Sequence, residues 1–200
     1  MQFTELTNVS PEIIRATQAM GFTDMTEIQE KAIPLMLGGH GMIAKAPTGT
    51  GKTVAFGIPI LSRVDPGSLK PQAVILSPTR ELAQQIAQDL QNLAQFLPAI
   101  KIVCVYGGAN MEKQAKRLAE GCQIVVATPG RLMDHYKHHN IDLDHVTQVV
   151  LDEADEMLNM GFYKDVKHII GLMKARKSLS MFSATISREV MDIGWMYQKD

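Results

Sequence analysis

This 200-residue sequence predicts an α/β fold with a mainly parallel sheet covered by helices on both faces. Three observations carry that expectation. Short apolar runs rich in Val and Ile recur near residues 41–45, 73–77, 101–106, 123–127, 147–152 and 178–183. They are nearly continuous in hydrophobicity, the pattern of strands buried on both faces. Segments with helical spacing lie between them at 53–64, 80–97, 110–119, 129–139, 162–173 and 187–198, the rhythm of crossover connections. Finally, the polar clusters that carry Gly, Pro or charge each follow an apolar run, where open α/β sheets place their ligands.

Two more helices precede the first strand, near 11–20 and 26–37, and Ser10 before Pro11 reads as an N-cap followed by proline at the first helical position. No internal repeat or low-complexity tract interrupts the pattern, so one domain is expected. Its apolar share of 46% and charged share of 20% suit a globular chain large enough for one core. Cys104 and Cys122 fall in apolar segments with neither metal nor disulfide spacing, and read as reduced core thiols of a cytoplasmic protein. No stretch approaches the roughly 18 apolar residues of a membrane span, and the first ten residues lack a signal pattern. A net charge of −1 excludes a polycationic surface. Any nucleic acid must then be held by a local set of positioned donors.

The chemistry starts at Ala46-Pro47-Thr48-Gly49-Thr50-Gly51-Lys52-Thr53, after the strand ending at Lys45 and at the start of a helix. Gly49 and Gly51 let successive N–H groups curl around phosphate oxygens, and the helix N-terminus adds positive partial charge. Lys52 is placed for the β- and γ-phosphates and the Thr53 hydroxyl for Mg²⁺. About a hundred residues later, the run Val149-Val150-Leu151 ends in Asp152-Glu153-Ala154-Asp155. Adjacent carboxylates at the end of a buried strand call for a cation. Asp152 is the natural Mg²⁺ ligand and Glu153 the group to polarise an attacking water. Asp155 is left over from metal binding, and Ser183-Ala184-Thr185 after the next strand offers it hydroxyl partners.

Pro78-Thr79-Arg80-Glu81-Leu82-Ala83, Gly107-Gly108 and Thr128-Pro129-Gly130-Arg131 end three further strands. Their amides, hydroxyls and guanidinium groups suit a phosphodiester backbone. With no aromatic interleaved, sequence-independent binding without base stacking is expected. The His-rich stretch Asp134-His135-Tyr136-Lys137-His138-His139 lacks a zinc pattern and reads as a solvated helix end. The helix-spaced methionines read as core filler.

Taken in order and spacing, these motifs resemble the first RecA-like domain of the DEAD-box ATP-dependent RNA helicases over essentially the whole chain. The resemblance rests on 46–53, Pro78–Ala83, Gly107-Gly108, Thr128–Arg131, Asp152–Asp155 and Ser183–Thr185. Upstream, Phe3 and Gly21-Phe22 through Thr26-Glu27-Ile28-Gln29 are similar to the family's adenine-reading motif. The fold it implies is the RecA-like (P-loop NTPase) three-layer sandwich. Residues 1–200 would be the helicase ATP-binding domain, with an adenine-recognition segment at 1–29.

By position, the resemblance implies that Gln29 bonds the adenine edge, Phe3 stacks on its ring and Thr26 supports the loop. Thr48, Gly49, Thr50, Gly51, Lys52 and Thr53 would cradle the phosphates of ATP. Thr53 and Asp152 would hold Mg²⁺ and Glu153 would be the catalytic base. Asp155, Ser183 and Thr185 would couple nucleotide state to interdomain closure. Thr79, Arg80, Gly107, Gly108, Thr128, Gly130 and Arg131 would bind single-stranded RNA, with the helix after Gly130-Arg131 bending it. Met25, Glu27 and Pro47 depart from the family's usual residues without touching Gln29, Lys52 or Thr53.

The expected function is ATP binding and hydrolysis coupled to local RNA unwinding; an ATP-gated RNA clamp or assembly factor would use the same residues. A DNA translocase or unrelated P-loop ATPase is disfavoured by the adenine motif and by Asp155. The second RecA-like domain, its arginine fingers and a final strand are not in the sequence, so a monomeric piece of a longer chain with weak ATP turnover is expected.

Overall fold

The computed structural model describes residues 1–46 and 51–198. Its sheet contains β1 (Ile43–Lys45), β2 (Ala73–Leu76), β3 (Ile102–Val105), β4 (Ile124–Ala127), β5 (Gln148–Asp152) and β6 (Ser178–Ser183). The strand order is β1-β6-β5-β2-β4-β3, and every adjacent pair is parallel. Parallel neighbours need long crossovers, and these are supplied by α3 (Lys52–Arg63), α4 (Arg80–Leu93), α5 (Met111–Glu120), α6 (Pro129–Lys137), and α7 (Ala154–Asn159) with α8 (Tyr163–Leu172). Ahead of the sheet come a 3₁₀ turn (Phe3–Glu5), α1 (Pro11–Ala19) and α2 (Glu27–Leu37); α9 (Arg188–Tyr197) follows it.

Side-chain alternation on the strands builds two apolar layers. In β2, Ala73 and Ile75 face the layer containing Phe56, Ile58 and Leu90, whereas Val74 and Leu76 face the layer containing Leu132, Val166 and Ile169. Both layers are closed to solvent, which is why the strands read as unbroken apolar runs.

The structure amends the expected elements in four places. Helix α4 stops at Leu93 rather than near 97; a turn follows, closed by the Leu97 amide donating to the Ala94 carbonyl. Helix α6 stops at Lys137, because His139 takes a left-handed φ of 59°. The short helix α7, on the acidic tetrad itself, was not anticipated. Some methionines are core, including Met36, Met157 and Met173, but Met160, Met191 and Met196 are exposed.

Candidate active site

Strand register brings the motifs to one edge. Lys45 of β1 pairs with Ser183 of β6, and Asp152 of β5 pairs with the adjacent Phe182. β6 therefore lies between the strand that leads to 46–53 and the strand that carries the tetrad. The Ala46 amide donates to the Ser183 carbonyl at 2.9 Å, fixing the root of the loop. From the start of α3, Lys52 reaches Asp152 Oδ1 at 3.1 Å and Glu153 Oε1 at 2.7 Å. All three side chains are buried. Burial pulls the Lys52 pKa down, but the two carboxylates outweigh it and hold the ammonium above its ordinary value. Burial pushes Asp152 up, with Glu153 adding to the rise, while Lys52 opposes it. The cluster holds its carboxylates out of water with one cation between them.

Glu153 reaches this position through a left-handed backbone, φ 52° and ψ 48°, as the N-cap of α7. That kink separates Asp152, which ends the strand, from Asp155, which sits in the first helical turn. Asp155 Oδ2 accepts from the Thr185 amide at 3.1 Å and the Thr185 hydroxyl at 2.8 Å, and its Oδ1 accepts from the Glu156 amide at 3.0 Å. The Ser183 hydroxyl plays a different part: it accepts from the Asp155 amide and donates to the Thr185 carbonyl. Burial raises the Asp155 pKa, but the hydrogen bonds from the Thr185 hydroxyl and from the Glu156 and Thr185 amides win and leave it below the usual carboxylate value. So the two hydroxyls foreseen as partners do meet Asp155, one through the carboxylate and one through the main chain.

A cavity of about 520 Å³ opens beside the cluster, lined by Phe22, Gln29, Lys52, Thr53, Asp152 and Glu153 among others. Gln29 is buried and bridges two elements. Its Oε1 accepts from the Thr26 amide at 2.9 Å and its Nε2 donates to the Gly51 carbonyl at 3.2 Å, while the Thr26 hydroxyl caps α2. Gly51 has φ 79°, and a Cβ there would collide with the Gln29 amide, so glycine is required for this contact. Thr48, Gly49 and Thr50 lie outside the described residues. Phe3 is placed differently from the expectation: it is 1% exposed, tilted against Phe22 with ring centroids 6.4 Å apart, and belongs to the core. Phe22, 38% exposed, is the aromatic ring that lines the cavity. Sequence reasoning also passed over Asp89 of α4, a cavity-lining carboxylate whose pKa is raised by burial against the pull of Gln85 and Thr53. Its one sequence signal is its i, i+4 spacing from Gln85, which donates to it at 3.0 Å.

Mg²⁺ fits these residues. Asp152 Oδ1 is buried and accepts no well-aligned hydrogen bond among the described residues, although Lys52 is close. A hard oxygen of this kind, with the Thr53 hydroxyl on the same cavity, suits a hard cation.

The other strand ends form a second patch on the same edge. Arg80 is exposed, with its guanidinium 4.8 Å from the centroid of Tyr106. The Tyr106 hydroxyl also accepts from Gln84 at 2.9 Å. An aromatic ring does therefore stand among these motifs, contrary to expectation, and it serves as a platform for Arg80. Thr79 caps α4 through its side chain, whereas the Thr128 hydroxyl makes no capping bond at the start of α6. Gly107 and Gly130 would tolerate a Cβ without contact from the rest of the chain, so no internal packing accounts for glycine there. Arg131 Nη1 donates to the Ala109 carbonyl at 3.0 Å and to Gln114 Oε1 at 3.2 Å. His135 is fully buried rather than solvated, bonded to Gln114 and Asn140. Burial pushes the thiols of Cys104 and Cys122 up to about 11 and about 12, consistent with inert thiols. Among the described residues, no group of His, Cys, Asp and Glu could by itself hold a metal, and no helix is long and apolar enough to cross a membrane.

Comparison with known proteins agrees with this geometry. The sequence profile of the DEAD/DEAH box helicase family matches residues 26–193. The ATP-dependent RNA helicase CshA of Limosilactobacillus reuteri is 44% identical over the full chain, which spans 40% of that relative. The ATP-dependent RNA helicase DbpA of Bacillus subtilis is 39% identical over 96% of the chain and 40% of its own length. The chain thus spans about two fifths of these curated relatives. Among solved structures, a DEAD box protein from the hyperthermophile Methanococcus jannaschii superposes with a TM-score of 0.92 at 41% identity, over all of this chain and 54% of that one. The yeast DEAD-box splicing factor Prp28 gives 0.91 at 33% identity, over 99% and 50%. With its RecA-like fold and these matches, the chain belongs to the DEAD/DEAH-box helicase family.

Proposed function

We propose that residues 1–200 are the ATP-binding, first RecA-like domain of an ATP-dependent RNA helicase that works with a second RecA-like domain of its parent polypeptide. The observation that carries this reading is the buried Lys52–Asp152–Glu153 cluster at one side of a cavity that extends to Gln29 and Phe22. Phosphates entering the cavity compete with the carboxylates for Lys52. As the ammonium turns to the β- and γ-oxygens, Asp152 and Glu153 lose their cation together. Asp152 and Thr53 would hold Mg²⁺, which when bound would neutralise charge on the phosphates. Glu153 accepts the proton of the attacking water. Gln29 retains a free N–H and a lone pair for the adenine edge, and Phe22 offers its exposed ring face. Thr48, Gly49 and Thr50 complete the phosphate loop.

On the second patch, Thr79, Arg80, Gly107, Gly108, Thr128, Gly130 and Arg131 bind single-stranded RNA along its backbone, and the helix after Gly130-Arg131 bends the strand. Gly107 and Gly130, open to solvent without internal reason, support close approach of such a backbone. Asp155, Ser183 and Thr185 transmit nucleotide state towards that closure. A cytoplasmic, monomeric protein is in keeping with this reading. The test is equilibrium binding of a fluorescent adenine nucleotide, with and without Mg²⁺, to the wild type and to Lys52→Ala. Weak but Mg²⁺-dependent binding, lost in the variant and not competed by GTP, is expected. Equal affinity in both proteins would overturn the assignment.

A further inference from the structure

Below the surface of the second patch lies a buried polar chain that no step above uses. Gln114 of α5 is 6% exposed and His135 of α6 is 0% exposed, and neither faces the cavity. Gln114 Nε2 donates to the Tyr106 carbonyl at 3.0 Å, which fixes the orientation of its amide. Its Oε1 must then accept twice, from Arg131 Nη1 at 3.2 Å and from His135 Nε2 at 2.9 Å. An amide oxygen only accepts, so His135 carries its proton on Nε2. The other ring nitrogen, Nδ1, is left to accept from Asn140 Nδ2 at 3.1 Å. Only one tautomer and one pair of amide orientations satisfy all of these contacts.

Two members of the chain reach the second patch. Arg131 also donates to the Ala109 carbonyl, while Tyr106 carries the Arg80 guanidinium on its ring. The turn from Tyr106 to Ala109, with Gly107 and Gly108 between, is therefore held at one end by Gln114 and at the other by Arg131, which Gln114 contacts. We propose that His135 and Gln114 are positioning residues for RNA. Through Gln114, His135 fixes the Arg131 guanidinium against the Tyr106–Ala109 turn, so that both are presented to the RNA backbone in one arrangement. The proposal rests on the RNA reading of the patch.

The ring is kept neutral by its surroundings: burial lowers the His135 pKa, and the nearby Arg131 lowers it further. Such a buried network specifies one geometry when every member is satisfied. Removing Gln114 or His135 takes away one of the contacts that hold Arg131, leaving the Ala109 carbonyl and Asp134 to position it alone.

The test uses the full-length polypeptide and the affinity of a labelled oligouridylate in the presence of a non-hydrolysable ATP analogue. His135→Leu and Gln114→Met are each expected to weaken RNA binding about tenfold, the upper scale of one lost hydrogen bond. Affinity for the ATP analogue should stay within about twofold, reporting an intact domain. His135→Gln, which restores an N–H near the Nε2 position, should recover most of the RNA affinity, and its recovery keeps the test open if His135→Leu does not fold. In an Arg131→Ala background the Gln114→Met change should cost less than about twofold more, because the oriented group is gone. An undiminished loss in that background, no loss in the wild-type background, or no recovery in His135→Gln would overturn the positioning role. An Arg131→Ala variant that keeps full RNA affinity would instead overturn the RNA reading, and the proposal with it.

Discussion

Replacing Asp155 with asparagine isolates the charge that ties the tetrad to β6. The carboxylate accepts three bonds, from the Glu156 amide at 3.0 Å, the Thr185 amide at 3.1 Å and the Thr185 hydroxyl at 2.8 Å. An asparagine that keeps its oxygen on Glu156 turns its NH₂ onto the Thr185 amide, donor against donor. The Thr185 hydroxyl can rotate to accept, so one charged bond is lost and two are exchanged for neutral bonds. Together these cost about 2 kcal/mol, within the 1.5–3 kcal/mol of a hydrogen bond to a charged group. For a domain of this size that corresponds to a fall in Tm of roughly 4–8 °C. Circular-dichroism melts near neutral pH measure it. The Asp155 pKa lies below its unfolded value of 3.8, so its contribution is present above that pH and is lost as pH falls through the folded value. The gap between wild type and variant should therefore close under acid. Nucleotide affinity should hardly change, since Asp155 does not line the cavity. A variant that melts with the wild type near neutral pH, or a gap that persists unchanged in acid, would refute the reasoning.

The two N-terminal phenylalanines should separate cleanly. Phe3→Ala opens a cavity in the core and should cost about 3–5 kcal/mol in urea unfolding, whereas Phe22→Ala should leave stability nearly intact and weaken adenine nucleotide in a binding titration. Lys52→Met removes the ammonium beside buried Asp152 and Glu153, and should destabilise by about 3 kcal/mol near neutral pH. Because Asp152 is already raised by burial and gains a further rise when Lys52 is removed, that loss should shrink as pH falls and the carboxyl takes a proton, read in the same melts. Cys104 and Cys122, raised to about 11 and about 12, should react with a thiol reagent far more slowly in the native protein than in urea.

The sheet was legible because each strand is buried on both sides, so Val74 and Ile75 had to be apolar whichever layer they faced. The nucleotide motifs were legible because their partners are backbone or charge: Lys52 next to glycine and adjacent carboxylates have few other uses. What stayed hidden depends on partners remote in sequence. His135 reads as surface until Gln114, 21 residues earlier, arrives on α5 to satisfy it. Phe3 and Phe22 are indistinguishable by composition, and only the packing of the N-terminal turn decides which is covered, including the Gln2–Asp24 bridge that pins it. Tyr106 ends the apolar run of β3 and was counted with it, although its ring emerges at the edge beneath Arg80. Helix α7 has six residues, less than two turns, too few for a period to register.

The left-handed Glu153 has a consequence for how mutations at this position should rank. A residue with a side chain costs roughly 1–2 kcal/mol in that conformation, and glycine removes the cost. In the wild-type background the gain competes with the loss of the Lys52 contact; in a Lys52→Met background that contact is already absent. There, glycine at 153 should rank higher for abundance than it does beside Lys52, while selection for ATP turnover should reject it beside Lys52. A ranking that moves in this way would mark Glu153 as a residue retained for reactivity against the preference of its own backbone.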